Sequence, residues 1–174
     1  WTVPFVPPVF QVSIRLALAS LCILVWCRVR RIPLFERDGT LWAGLLSGVL
    51  FAMEFGTLYP ALKLAPAAQV TVFLYTSPLW VALIVPLVVK SEHLNLRQWA
   101  GLILAFAALA NALWKDVMVS GDLVGQGLGN VLALMAGLSW GLTTVVIRTL
   151  GLVRISPEKI LFYQVGTSAL ILPC

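Results

Sequence analysis

Residues 40–62 read TLWAGLLSGVLFAMEFGTLYPAL, twenty-three positions with one charged side chain, Glu54. The hydrocarbon core of a bilayer takes about 20 apolar residues of helix to cross. Over such a run in lipid, a helix satisfies its own backbone hydrogen bonds, whereas strands need a closed barrel. Barrel strands are shorter and alternate apolar with polar residues, which this stretch does not. Residues 40–62 are therefore expected to form a transmembrane helix.

Five further blocks read the same way. Span A is expected over about 10–29, after Val6-Pro7-Pro8, a dipeptide pattern that favours an extended or turn entry. Span B is the block just quoted. Span C is expected over about 67–89 and contains Pro78 and Pro86. Span D is expected over about 96–114 and span E over about 125–147. Span F begins at Ser156-Pro157-Glu158, a cap, a first-turn proline and an acid that together signal a helix start. The fold class is an all-α polytopic membrane protein with about six spans.

Composition agrees. Of the 174 residues 60% are hydrophobic and 11% charged, with a mean hydropathy of +0.98. Soluble domains carry about 25% charged residues, and one this apolar would expose enough greasy surface to aggregate. Disordered chains are poor in apolar residues, so that class is excluded too. The formal charge of +5 could indicate a nucleic-acid partner. The charges instead lie between apolar blocks, as they do when they orient a protein in the bilayer, and no nucleic-acid partner is expected. Nine of the twelve basic residues fall in the A–B, C–D and E–F loops: Arg28, Arg30, Arg31, Arg37, Lys90, Arg97, Arg148, Arg154 and Lys159. Lys63 and Lys115 lie on the other side, and Arg15 is inside span A. This asymmetry places those three loops in the cytoplasm of a cell (inner) membrane.

Cys22, Cys27 and Cys174 have no CxxC spacing and read as small apolar residues. With His93 as the one histidine, neither a His/Cys metal site nor a well-supported Ser-His-Asp triad can be assembled. No cofactor and no enzymatic activity are expected. The run Gly125-Gln126-Gly127-Leu128-Gly129 lacks the preceding strand of a dinucleotide loop. The chain starts at Trp1 and stops inside an apolar run, so both ends are expected to be truncated. A faint internal repeat pairs Phe10-Gln11-Val12-Ser13 with Tyr163-Gln164-Val165-Gly166, with Pro4 and Pro157 at the same offset. The two copies are five spans apart and so run in opposite directions, as in inverted-repeat transporters.

Ordered short motifs add a family. Pro8…Arg15-Leu16-Ala17, Tyr59-Pro60-Ala61-Leu62-Lys63-Leu64-Ala65-Pro66-Ala67 and Phe73-Leu74-Tyr75-Thr76-Ser77-Pro78 resemble the EamA-like branch of the drug/metabolite transporter superfamily. Ser91-Glu92-His93-Leu94 with Gln98-Trp99-Ala100-Gly101 resembles that family's Gly-Glu turn and the helix after it, with Ser91 in place of the usual glycine. Gly121-Asp122-Leu123 and Leu138-Ser139-Trp140-Gly141 resemble the start of its second repeat. The resemblance implies ten helices in two inverted five-helix repeats. Residues 1–115 would then hold helices two to five of the first repeat, and residues 121–174 the truncated start of the second. It also implies a central cavity between several helices, spans B, C and E among them, and export of amino acids, other metabolites or drugs.

Glu54 carries most of the functional expectation. A charge near the bilayer centre costs roughly 2.5–3.5 kcal/mol on insertion scales, so it is usually paired, protonated or functional. At about 1.5 Å per residue, Glu54 lies ~4–5 Å and Arg15 ~6–7 Å from their span midpoints, in the same direction. The two are expected to pair directly or through water or substrate; the plainer alternatives are a structural ion pair and an arginine that snorkels to the surface. In span C, Pro78 removes one helical hydrogen bond, and Tyr75, Thr76 and Ser77 precede it. Such breaks often line a cavity, which makes Tyr75 and Thr76 candidates for substrate contact; a simple kink is the alternative. Span E offers Ser139, Trp140, Thr143 and Thr144; the resemblance makes Trp140 a candidate cavity wall, and a lipid-facing or packing tryptophan is the alternative.

Gly44-xxx-Gly48 and Gly137-xxx-Gly141 are expected to bring helix backbones close together. Gly101, Ala105, Ala108 and Ala112 share one face of span D, expected against a neighbouring helix or a second protomer. Gln69 and Asn111 are expected in interhelical hydrogen bonds. The leading reading is a secondary transporter of small organic solutes in the lipid bilayer. A non-transporting membrane scaffold or assembly subunit is the alternative, and a membrane-embedded enzyme lacks the clustered groups it needs.

Overall fold

A computed structural model of the chain describes residues 8–34, 39–89, 95–118 and 123–172. Among them the regular elements are helical: α1 (Pro8–Arg30), α2 (Leu41–Leu64), α3 (Ala67–Leu74), α4 (Ser77–Val88), α5 (Leu96–Met118), α6 (Leu123–Thr149) and α7 (Pro157–Ile171), with a 3-10 turn at Leu152–Arg154. Among the described residues four stretches are long and apolar enough to cross a bilayer: Phe10–Arg30, Leu41–Leu64, Ala67–Val88 and Gly127–Thr149. In α5 the apolar stretch described is Leu96–Ala108, and α7 has fifteen residues. The chain is an all-helical, multi-pass membrane protein.

Side-chain placement suits lipid. Phe10, Ile14, Leu18, Leu21 and Val25 form an exposed apolar stripe on α1. The interior is built from small and polar groups, including Ala61, Ala133, Ala136, Ser47 and Ser168. Lipid tails are as apolar as leucine, so helices in a membrane associate through close packing and hydrogen bonds rather than by hiding large apolar side chains.

Proline and glycine mark the element boundaries. Pro66 follows the end of α2 and precedes α3, while Pro60 is accommodated inside α2. Span C is divided: α3 ends at Leu74, and α4 starts at Ser77 with Pro78 in its first turn. The break at Tyr75–Thr76 lies before the proline, because the ring clashes with and strips a donor from the turn on its amino-terminal side. Gly151, at a φ of 76°, turns the chain from α6 into the 3-10 segment. Ser156 caps α7 with Pro157 behind it, but its hydroxyl makes no capping bond. The glycine-rich stretch at 125–129 lies inside α6 and is helical, not a loop.

The described residues form two compact units. The first takes residues up to 53 and from 146 onward; the second takes residues 54–145. In the first, α1 packs along α7, so the two copies of the short internal repeat fall on packed helices. Gly44 lies against the Tyr163 ring. A Cβ on Gly48 would come 2.5 Å from Thr167 Cβ and 2.6 Å from the Tyr163 carbonyl oxygen. The Ser168 hydroxyl donates to the Gly48 carbonyl at 3.1 Å. Ala43, Val146 and Leu152 form this unit's apolar centre, with Leu50, Ile147, Ile155 and Ile160 around it. In the second unit, Ala61, Ala65, Val70 and Ala133 are packed by Leu58, Phe73 and Leu132.

Candidate functional site

The site is built where α6 crosses the α3–α4 break, within the second unit. Residue 78 is a proline, so the Leu74 carbonyl has no helical N–H to accept from. The break is repaired locally: the Thr76 N–H donates to the Phe73 carbonyl at 3.2 Å. The Thr76 hydroxyl donates to the same oxygen at 2.6 Å and accepts from Trp80 Nε1 at 3.2 Å. One buried hydroxyl therefore ties the end of α3 to the first turn of α4.

α6 reaches this break through missing side chains. A Cβ on Gly137 would lie 2.7 Å from the Phe73 oxygen, 2.8 Å from Thr76 Oγ1 and 2.9 Å from the Leu74 oxygen. One turn on, a Cβ on Gly141 would lie 2.8 Å from Trp80 Cβ and 3.1 Å from the Ser77 oxygen. One on Gly129 would lie 2.8 Å from Ala65 Cβ. The expected role of Gly137-xxx-Gly141 in close backbone approach is what the geometry has. The groups approached, including the Leu74 carbonyl oxygen freed by Pro78, add something spacing does not reveal.

Above the seam two aromatic rings face each other. Tyr75 is the residue at the break, and its ring centroid lies 6.3 Å from that of Trp140 at an interplanar angle of 50°. Tyr75 is 51% exposed and Trp140 36%, so the pair offers ring surface rather than filling a core. Ser139 is buried, and its carbonyl accepts from the Thr143 hydroxyl at 2.9 Å. The Trp140 carbonyl accepts from Thr144 at 3.2 Å. Tyr75, Thr76 and Trp140 are thus gathered at one place. Trp80, which sequence reasoning passed over, completes it; its spacing of four from Thr76 on a helix was the available signal.

Glu54 is 7% exposed. Its backbone carbonyl accepts from the Thr57 hydroxyl at 3.1 Å, while its side-chain Oε2 is buried without a hydrogen-bond partner. Arg15 is exposed on α1, in the first unit. Two more buried oxygens in the second unit lack partners, Gln69 Oε1 and Asn130 Oδ1. The hydrogen bond expected at Gln69 is thus missing at its oxygen. Gln69 is the third residue of α3, where a glutamine normally reaches back to the N–H of the capping residue. That residue is Pro66, which has no N–H.

On α5, Gly101, Ala105 and Ala108 are exposed; the side chain of Ala112 lies outside the described residues, as do Glu92 and His93. Among the described residues no group of three His, Cys, Asp or Glu side chains could hold a metal ion.

The profile of the EamA-like transporter family matches residues 1–114. A solved crystal structure is similar in fold, with a TM-score of 0.74 and 20% identity over 95% of this chain. The match takes in 57% of the other protein, so this chain spans little more than half of that length. No curated protein matches the chain.

Proposed function

The chain belongs to the EamA-like transporter family, and from that premise we propose that the protein moves small organic solutes, amino acids, other metabolites or drugs, across the cell membrane. The solute leaves the cell by alternating access, in which two inverted repeats rock about a central site. Residues 1–115 belong to the first repeat and 121–174 to the second, of a ten-helix whole. The A–B, C–D and E–F loops face the cytoplasm, on the strength of the basic asymmetry.

One observation carries the reading: Glu54 holds a buried carboxylate oxygen without a partner. Leaving a buried acceptor unsatisfied costs about 1–3 kcal/mol, so such a group is retained where a solute, a proton or water fills it. Glu54 is the coupling or substrate-binding acid, and Arg15 joins it as a charge partner during the cycle. Tyr75 and Trp140 supply ring surface to the solute. Thr76 keeps the helix break in shape beside them, and Ser139 lines the same route. The smooth α5 face at Gly101, Ala105, Ala108 and Ala112 meets a second protomer.

The test is transport by the full-length protein in proteoliposomes against a panel of amino acids and organic drugs. Glu54→Gln, at matched abundance, is expected to abolish coupled transport of any substrate the wild type carries. Unchanged flux would remove Glu54 from the mechanism. Cysteines placed at positions 54, 75 and 139 are expected to react with water-soluble reagents, and their complete protection would argue against a solvated pathway.

A further inference from the structure

Three exposed arginines, Arg28, Arg30 and Arg31, surround the carboxyl-terminal end of α1. Positive charge there orients the span and complements the helix dipole. Two features go beyond those needs.

The first is the backbone of Arg31, which has a φ of 56°. The Ile32 N–H donates to the Cys27 carbonyl at 2.9 Å, and the Arg31 N–H approaches the Arg28 carbonyl at 3.4 Å. This is a Schellman ending, whose left-handed residue is normally glycine because a Cβ is disfavoured there. An arginine one residue later would bring equal charge without that strain. Strained residues persist where the side chain has a use.

The second is the company the guanidiniums keep. Arg30 Cζ lies 5.2 Å from the centroid of the Trp26 ring. Stacking uses the face of a guanidinium and leaves its N–H edge free to grip a phosphate in two places. Among the described residues none of the three arginines makes an ion pair. Beside them, Trp26 is 52% exposed and Val29 74% exposed. Arg30, followed directly by Arg31, thus adjoins an apolar shelf at the end of a spanning helix. Free phosphate would meet the donors and leave the shelf bare; an anionic phospholipid meets both.

We propose that Arg30 and Arg31 form a binding site for the headgroup phosphate of an anionic phospholipid, with its acyl chain against Trp26 and Val29. The site does not depend on what the protein transports. Native mass spectrometry of the detergent-purified full-length protein tests it, with phosphatidylglycerol and phosphatidylcholine supplied together. Phosphatidylglycerol is expected to be retained preferentially. Arg30→Gln is expected to weaken it about fivefold, the worth of one basic residue near an anionic surface, and more than Arg28→Gln, since residue 28 lies on the other side of the helix from Trp26 and Arg30. Arg31→Gly is the discriminating variant: it lowers retention about fivefold while the thermal midpoint holds or rises, because glycine fits the backbone. Equal retention of both lipids, or undiminished retention by Arg31→Gly, overturns the proposal. A fall in thermal midpoint for Arg31→Gly makes the arginine a structural cap and overturns it as well. Displacement of the lipid by excess inorganic phosphate shows that the acyl contact is wrong.

Discussion

Replacing Gly137 by alanine tests the seam between α6 and the helix break. The new methyl carbon would lie 2.7 Å from the Phe73 oxygen, 2.8 Å from Thr76 Oγ1 and 2.9 Å from the Leu74 oxygen. Ordinary contact starts near 3.4 Å, so the elements must part by about 0.7 Å. Two of the three atoms are backbone, and Thr76 is held by bonds to Phe73 and Trp80, so no flexible side-chain end can swing aside. Overpacking of this kind costs about 1–3 kcal/mol. Gly127→Ala is the control: it lies in the same helix with nothing within 4 Å of the added carbon. Alanine is the better helix former by about 1 kcal/mol, and both variants share that gain, so their difference isolates the packing. In reversible unfolding of the full-length protein by denaturing detergent, Gly137→Ala is expected to be about 1–3 kcal/mol less stable than Gly127→Ala. Equal midpoints would refute the close approach at the break.

Thr76→Val keeps the shape but removes the donor to Phe73 and the acceptor for Trp80, and is expected to lose about 1–3 kcal/mol by the same unfolding measurement; Thr76→Ser should restore most of it. Ser168→Ala deletes the bond to the Gly48 carbonyl, which already sits inside a helix, and should cost only about 0.6 kcal/mol, the average for such bonds in membranes. Gly44→Val must displace the Tyr163 ring, so its folded yield, followed by size-exclusion chromatography, should fall well below that of Gly101→Val, where nothing lies within 4 Å. Tyr75→Ala removes a half-exposed ring with little buried contact, so abundance should hold while KM for transport rises.

Much of the fold was legible because a bilayer imposes one solution on long apolar runs. Residues 40–62 decide it alone, and α2 extends only to Leu64. The family was legible in the order of short motifs such as Tyr59–Ala67 and Phe73–Pro78. The glycine pairs announced close packing but not their partners. Gly48 meets Ser168, 120 residues away, and such a pairing follows from how helices stack, which local sequence does not encode. The span C break was legible from Pro78, since a proline acts on the turn before it, and it falls at Tyr75–Thr76. At the site, Glu54 stood out because charge is costly in lipid. Trp80 did not, because an indole in an apolar helix looks like any other lipid-facing ring. Arg31 was read only as charge; its left-handed backbone follows from the helix ending.

The contact at Gly137 has a mechanical consequence. Interlocked side chains resist displacement in every direction, since each knob must climb out of its hole. At Gly137 and Gly141 bare Cα atoms meet the Phe73, Leu74 and Ser77 carbonyl oxygens, with Thr76 Oγ1 and Trp80 Cβ beside them, so the helix presents few such teeth of its own. It holds the backbones close without interlocking α6 side chains at these two positions. A helix that must shear by small steps is served well by a surface with little to catch on, and a single methyl group would act as a brake.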